Sequence, residues 1–172
     1  MFVTARQPMQ EIPITAESTR AFRDVLGHFA TGVVVVTATG PRGPVGITAN
    51  SFTSVSLEPP MVLWCAARRS ERFESFLNAP HYAIHVLGAG QLALCRHFAR
   101  SGDDFSPFGG EETPEGLPAL PGCLARIDCA ADARHDGGDH AILVGRVLRA
   151  TLRDGDPLLF WRGRYGDFIH HG

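Results

Sequence analysis

The sequence contains no lysine, and all 16 of its cationic side chains are arginines. This absence excludes a Schiff-base lysine, a pyridoxal-phosphate anchor and the lysine of a P-loop. Any phosphate that the protein binds must therefore be held by arginine, by hydroxyl groups or by backbone N–H groups.

Several sequence motifs are also missing. No CxxC pair and no group of His, Cys, Asp and Glu with the spacing of metal ligands occurs, so no metal is expected. No GxGxxG follows a predicted strand, which argues against a Rossmann domain, and no serine stands in a GxSxG elbow. The four cysteines lie in apolar company and are expected to be reduced and buried: Cys65, Cys95, Cys123 and Cys129.

Long apolar runs are absent as well. The longest, from Met61 to Ala67, is far shorter than the ~20 residues of a spanning helix, and the N-terminus has no signal-peptide core. We therefore expect a cytoplasmic protein without a membrane partner. The formal net charge of −2 argues against nucleic-acid binding, which favours a basic surface.

What is present indicates one globular domain. The chain has 172 residues, of which 44% are apolar and 20% charged. We expect residues 1–14 to form an N-terminal arm and residues 15–172 to form the domain.

The hydrophobic patterns predict mainly β structure with short helices. Apolar residues from Ala21 to Ala30 recur at helical spacing, with Ser18 as the N-cap and Gly32 as the stop, which predicts a helix with one buried face. A β-branched run at 32–37 predicts a strand buried on both faces. Further strands are expected at 45–49, 61–66, 81–87, 123–134, 140–152 and 158–161, and further helices at 70–77 and 91–99.

The later segments carry three specific expectations. The helix at 91–99 is predicted to bury Leu92, Cys95, Phe98 and Ala99. The alternation after Cys123 puts Asp128 on the solvent side, and residues 101–122 are expected to form a long surface connection. Six or seven strands without a βαβ rhythm favour a closed or half-closed antiparallel barrel.

Four segments are candidates for chemistry, and each also has a purely structural explanation. The stretch Thr48–Ser56 holds five hydroxyls and one Asn, which suit a ligand cradle or a solvated bulge. Arg68-Arg69-Ser70 opens a helix and could hold phosphate or simply end a strand. Gly138-Asp139-His140 closes a hairpin, where a histidine could orient a substrate or be merely exposed. Arg162-Gly-Arg-Tyr-Gly166 puts two cations and an aromatic ring on a flexible turn, which could stack on a flat ligand, bind phosphate or simply be a surface turn.

Taken in order, these segments resemble the flavin reductase family with the FMN-binding split-barrel fold, which includes the reductase components of two-component flavin-dependent monooxygenases. The resemblance rests on FRDVLGHFATGVVVVTA, GITANSFTSVSLEPPMVLWC, RHFA, GGDHAILVGRV and LLFWRGRYG, which run from Phe22 to Gly166. It implies a mainly β, Greek-key split barrel with short flanking helices, and a homodimer with FMN or FAD at the interface. It also implies hydride transfer from NADH, or NADPH, and delivery of reduced flavin to a partner monooxygenase.

The resemblance also implies roles for individual residues. Thr48, Ala49 and Asn50 would line the isoalloxazine ring, and Ser54, Val55 and Ser56 would bind the ring edge, the ribityl chain or the phosphate. Cys65, Ala66 and Ala67 would run beside the flavin, and Arg68 would pair with its phosphate. Phe98 and Ala99 would help to close the site, and Tyr165 would pack near the flavin or the nicotinamide. His140, oriented by Asp139, would serve catalysis by positioning the nicotinamide, because hydride transfer requires no side-chain base.

Three alternatives remain open from the sequence. One is another split-barrel flavoprotein, such as an enzyme similar to pyridoxamine-phosphate oxidase. The second is a flavin carrier or sensor without catalysis. The third is a generic β-barrel binding module, which would leave the GDH and RGRYG segments unexplained.

Overall fold

A computed structural model describes residues 9–169. Most of the predicted arm, residues 1–8, and the terminal His170 and His171 lie outside the described residues. The helices are α1 Thr19–Leu26, α2 Phe73–Asn78 and α3 Leu92–Arg100, with three single 3₁₀ turns between elements. The strands are β1 Thr31–Gly32, β2 Val34–Gly40, β3 Gly43–Ala49, β4 Thr53–Leu57, β5 Pro60–Ala67, β6 His81–Val86, β7 Glu111–Glu112, β8 Pro118–Ala119, β9 Ala125–Gly137, β10 His140–Leu152, β11 Leu158–Trp161 and β12 Arg164–Asp167.

The main sheet has seven strands in the order β3-β2-β6-β9-β10-β5-β4, and every pairing is antiparallel. A flat sheet of this width would separate its two edge strands by roughly 29 Å. Yet Ala49 at the end of β3 and Thr53 at the start of β4 are joined by only residues 50–52, which span about 14 Å at most. The sheet is therefore rolled until its two edges face each other across this short link.

Strand β2 is buried on both faces, as predicted. Val34, Val36 and Ala38 contribute to one apolar core, which also contains Trp64 and Tyr82. Val33 and Val35 contribute to a second core beneath α3, with Leu94, Cys95, Phe98 and Leu158. The period-2 alternation of side chains thus places one β-branched run in both cores.

The predicted surface connection at 101–122 is in part buried. Within it Gly102, Thr113, Leu117, Ala119 and Leu120 are all buried, because polar groups of the sheet hold the segment down. The Thr37 hydroxyl donates to Pro118 O at 2.7 Å, and Leu120 N–H donates to His85 Nε2 at 3.1 Å. The prediction of an exposed connection was therefore wrong for its second half.

Asp128 is buried rather than solvent-facing, which corrects the alternation drawn for β9. Its carboxylate lies 3.1 Å from Arg149 Nη1 and 3.0 Å from Arg126 Nε. The Arg149 guanidinium also makes a two-pronged contact with Glu115, at 3.0 Å for both oxygens. The buried charge is compensated by this network, which also ties the 101–122 connection to the barrel.

The first helix differs from the prediction in two ways. It ends at Leu26, because Gly27 and not Gly32 provides the C-cap. Its apolar side chains are not buried: Phe22, Val25, Leu26 and the following Phe29 are 41%, 46%, 57% and 78% exposed. The helix thus presents an uncovered apolar face.

Two smaller corrections concern α3 and the C-terminal segment. Ala99 is exposed and Leu92 only half-buried, whereas Leu94, which the prediction did not include, is buried. The segment 162–166 is not a flexible turn, because only Arg162 and Gly163 form the turn and β12 pairs with β11. Among residues 9–169, no helix is long and apolar enough to cross a membrane.

Candidate functional site

The hydroxyl-rich stretch joins the two edges of the rolled sheet, and most of its hydroxyls bind neighbouring backbone. The Thr48 hydroxyl donates to Cys95 O at 2.7 Å. Ser51 Oγ accepts from Cys65 N–H at 3.0 Å and lies 3.3 Å from Cys65 O, so it ties the link to β5. Ser56 Oγ accepts from Glu58 N–H at 3.2 Å. These bonds fix the backbone of the stretch, which leaves its remaining polar groups available to a ligand.

The free polar groups are concentrated at Asn50, Ser54 and Val55. Asn50 and Ser54 are exposed, and neither side chain makes a hydrogen bond within residues 9–169. The register of β4 on β5 shifts between Ser54 and Ser56, so Val55 is an extra residue without a partner in the ladder. A bulge of this kind re-aims backbone polar groups away from the sheet.

The end of β5 lies directly beside the Gly138-Asp139-His140 segment. The antiparallel register pairs Ala67 with His140, Ala66 with Ala141 and Cys65 with Ile142. The structure thus brings together the strand predicted to run beside a flavin and the histidine predicted to face a nicotinamide.

His140 is held by its neighbour in the chain. Its Nδ1 lies 2.7 Å from Asp139 Oδ1, and its side chain is 42% exposed. The hydrogen bond and charge of His140 lower the pKa of Asp139. Asp139 is therefore ionised at neutral pH and orients the imidazole ring, with Nε2 directed away from it.

Arg68 contacts the same hairpin, and its predicted contact with a flavin phosphate stays a prediction. Its Nε donates to Gly138 O at 3.0 Å, and its Nη2 lies 2.5 Å from Asp136 Oδ1. Its guanidinium also lies over the ring of Phe73, 5.6 Å from the centroid. The predicted partner of Arg68 was a flavin phosphate, so the structure gives this side chain a different set of contacts.

A second set of predicted residues meets at α3. Thr48 binds the backbone of Cys95, and the Tyr165 hydroxyl shares a hydrogen bond with the Cys95 thiol. This bond and partial burial raise the pKa of Tyr165 to about 12, so the phenol is neutral. The Tyr165 ring packs 5.3 Å from that of Phe160.

The set at α3, which contains Thr48 and Tyr165, is close to the set at the end of β5. The Cα atoms of Thr48 and Ser51 are at most about 11 Å apart, and Ser51 is hydrogen-bonded to Cys65. One planar ligand of three fused rings could therefore contact both sets at once.

Phe98 and Ala99 do not line an opening together. The Phe98 ring has no exposed surface and packs 4.9 Å from Phe105, against Gly46 on β3. Only Ala99 reaches the surface. The Phe98 side chain, which was predicted to help close the site, is buried in the core.

A cleft of about 640 Å³ beside this region was not predicted. Arg72 crosses its floor, donating to Gly46 O at 3.0 Å and to Phe98 O at 2.8 Å, and burial lowers the pKa of this guanidinium. Glu71 and Asp103 also line the cleft. Its other polar side chains are cations and hydroxyls: Arg42, Ser70, Ser75, Arg100 and Ser101. The RRSER sequence at 68–72 contains the signal, but only its first three residues were singled out.

Comparison with known proteins decides the family. The family described as "Flavin reductase like domain" matches residues 26–168, which include both sets of site residues. The chain belongs to the flavin reductase family. This confirms the resemblance found in the sequence and the oxidoreductase class that it implies.

Relatives of this flavin reductase agree in name and in fold. It is 55% identical over 152 residues to the FMN reductase (NADH) SmoA of Agrobacterium fabrum, covering 88% of this chain and 87% of SmoA. It is 41% identical over 148 residues to HsaB, the reductase subunit of a flavin-dependent monooxygenase of Rhodococcus jostii, covering 85% and 76%. The NADH:FAD oxidoreductase of Streptomyces globisporus, solved with NAD and FAD fragments, superposes with a TM-score of 0.84 at 40% identity, covering 92% and 98%. The predicted split barrel is confirmed by these neighbours.

Proposed function

We propose that this chain transfers hydride from NADH to a flavin and supplies the reduced flavin to a monooxygenase. The observation that carries the proposal is the pairing of Ala67 with His140, which unites the hydroxyl-rich link, the end of β5 and the GDH hairpin in one region. The names of the relatives support NADH as donor and both FMN and FAD as acceptors.

The donor set of this region fits a flavin. An isoalloxazine ring carries carbonyl oxygens and ring nitrogens along one edge, which require N–H and hydroxyl donors. Asn50, Ser54 and the bulge at Val55 supply such groups on a backbone that Thr48 and Ser51 hold in place. When bound, the flavin accepts hydride from a nicotinamide stacked on its ring, and this chain supplies position and hydrogen bonds.

Most of the predicted residues then have a proposed role. Thr48, Ala49 and Asn50 line one side of the ring, and Ser54, Val55 and Ser56 contact its edge or its side chain. Cys65 and Ala67, half-buried on the same face of β5, form an apolar wall, whereas the Ala66 methyl group on the opposite face is buried in the core. Tyr165 closes the far side from its position against α3. His140 presents Nε2 to the nicotinamide carboxamide.

The arginine cleft is the proposed place for the phosphate. It lies at the start of β3, which runs from Gly43 in the cleft to Ala49 in the ring site. The four residue steps from Val45, also in the cleft, to Ala49 span roughly 13 Å, the scale of the side chain that separates a flavin ring from its phosphates. Arg42, Arg72 and Arg100 give the cleft a net positive charge against Glu71 and Asp103.

The partner class follows from the relatives. HsaB, a 4-nitrophenol monooxygenase component of Rhodococcus opacus and the stachydrine demethylase subunit of Rhizobium meliloti are named as reductase subunits or components. A flavin-dependent monooxygenase that receives reduced flavin is therefore the proposed partner. The cytoplasmic location stays a prediction, which cell fractionation tests.

We propose a homodimer because the chain leaves many apolar side chains exposed. An obligate interface buries about 1,000–2,500 Å² on each protomer, and its centre is apolar. Uncovered apolar side chains on α1, on the edge strand β4 and on β10 supply its chemistry: Phe22, Val25, Leu26, Val55, Leu57, Leu148 and Leu152.

Light scattering at micromolar concentration tests the dimer. We expect a dimer for the wild type, and a shift toward monomer for Leu57→Glu, which places a charge on an edge residue that is 93% exposed. Glu74→Gln, an exposed change on α2, is the matched control. A fully active, stable monomer would contradict the proposal.

The activity is tested by steady-state oxidation of NADH with and without added FMN or FAD. We expect turnover only when flavin is present. Flavin binding without NADH oxidation would instead support a carrier or sensor.

A further inference from the structure

The turn that carries Asp139 and His140 is held by Arg68, the residue that follows β5. Arg68 N–H donates to Asp139 O at 2.9 Å, Arg68 Nε donates to Gly138 O at 3.0 Å, and Arg68 Nη2 contacts Asp136 Oδ1 at 2.5 Å. Three of the four residues from 136 to 139 therefore contact the side chain or the backbone N–H of this one residue.

The turn needs such support. Gly138 has a φ of +75°, in the left-handed region that only glycine adopts freely, and two adjacent glycines add conformational freedom. Gly137, Gly138 and Asp139 are all exposed, so no packing fixes them. The direction of His140, the first residue of β10, depends on how this turn is held.

We propose that Arg68 is a positioning residue for the nicotinamide: it fixes the Gly138-Asp139 turn and thereby aims His140. The inference rests on the proposed function, because it assigns His140 to the nicotinamide. Two parallel donors of one planar guanidinium hold a carbonyl and a carboxylate, a geometry that lysine cannot reproduce.

The rival role is contact with a flavin phosphate, and the two roles make opposite predictions. A phosphate contact depends on positive charge, which lysine retains as a point charge. A clamp on the turn depends on the fork of donors and on Asp136, which a phosphate contact does not use. Arg68→Ala, Arg68→Lys and Asp136→Asn therefore separate the two.

The first measurement follows amide hydrogen exchange by mass spectrometry in the segment 136–140, with no ligand added. We expect at least a fivefold faster exchange in Arg68→Ala, Arg68→Lys and Asp136→Asn. Arg146→Ala is the matched control, because it removes another exposed ion pair of the same hairpin, 3.1 Å from Asp132 and away from the turn. Exchange at wild-type rate in all three variants would overturn the clamp.

The second measurement compares NADH kinetics with binding of FMN and riboflavin. We expect the KM for NADH to rise roughly fivefold to tenfold in Arg68→Ala and Arg68→Lys, with kcat changed less than twofold and both flavin Kd values unchanged. Combining Arg68→Ala with Asp136→Asn should add nothing further, because Arg68→Ala alone already removes the contact with Asp136. A selective loss of FMN affinity, with an unchanged KM for NADH, would overturn the inference in favour of the phosphate contact.

The failures of the inference and of the proposed function can be told apart. A wild-type protein that oxidises no NADH with either flavin overturns the proposed function, and with it the nicotinamide part of this inference. An active wild type whose turn and KM ignore the three substitutions overturns the inference alone.

Discussion

His85 makes the stability of this protein depend on pH in a window that can be worked out from its contacts. The side chain has no exposed surface, and it lies between Val35 O, 3.2 Å from Nδ1, and Leu120 N–H, which donates to Nε2 at 3.1 Å. Nε2 must be an acceptor, so the folded protein holds the neutral ring with its proton on Nδ1. Protonation of Nε2 would break the bond to Leu120.

Burial is the main cause of the effect, and it lowers the pKa of His85 to about 4; the charge of Arg126 acts in the same direction. In the unfolded chain the ring titrates near ~6.5. Between these two values the unfolded state binds one more proton than the folded state, so the free energy of unfolding falls as pH falls. At pH ~5.5 the loss relative to pH ~7.5 amounts to roughly 1.4 kcal/mol, and it levels off below the folded pKa.

Urea unfolding at the two pH values, at one protein concentration, measures this loss. Because other groups also titrate, the quantity to compare is the pH-dependent difference between wild type and His85→Gln, which removes the titrating ring. Between pH ~7.5 and ~5.5 we expect the free energy of unfolding of the wild type to fall by roughly 1.4 kcal/mol more than that of the variant. His81→Gln, a change on the same strand at a partly exposed position, should behave as the wild type. An equal pH dependence in wild type and His85→Gln would show that His85 is not the titrating group.

Three further outcomes are expected. Gly145→Ala should destabilise the fold by about 1–3 kcal/mol, because the added Cβ would lie 3.0 Å from the Cβ of Cys129 and 2.8 Å from Cζ of Tyr82. The loss of stability, measured by thermal unfolding, should be smaller in a Tyr82→Phe background. An equal loss in both backgrounds would contradict this packing. His140→Ala should raise the KM for NADH roughly tenfold while flavin titration gives the wild-type Kd; a collapse of flavin binding instead would move His140 to the flavin site. The hydrogen bond from Arg149 lowers the pKa of Glu115 from 4.5 to about 2, so Glu115 should contribute stability that is lost as pH falls from 4.5 toward 2. In thermal unfolding, Glu115→Gln should lose less stability than the wild type over this pH range. An equal loss in both proteins would contradict this expectation.

The sequence predicted those parts of the fold that local patterns determine. The β-branched run of β2, the apolar positions of β9 and the Gly-Gly hairpin all encode their own conformation, so these strands and the antiparallel barrel class could be predicted. The same patterns do not determine which surface packs against each helix or strand. The apolar stripe of α1 correctly indicates a helix, but the surface that would cover it is not provided by the described part of this chain.

The other differences between the predicted and the observed structure arise from polar partners that are distant in sequence. Asp128 sits in an alternating strand that reads as solvent-facing, yet Glu115 and Arg149 from other elements bring it into a buried network. Arg68 looks like an anion-binding residue in its local context, and only the fold places the Asp136–Asp139 turn within its reach. The residue types of the site were predictable, whereas their partners depend on the register of β5 on β10.

Anaerobic stopped-flow mixing of the protein and flavin with NADH measures the proposed hydride transfer itself. We expect rapid loss of the oxidised flavin's visible absorbance with FMN, FAD or both, at a rate that saturates with NADH, and a higher NADH concentration for half-saturation in His140→Ala. If folded wild-type protein binds flavin but leaves it oxidised with both NADH and NADPH, the chain does not reduce flavin and the proposed function is wrong.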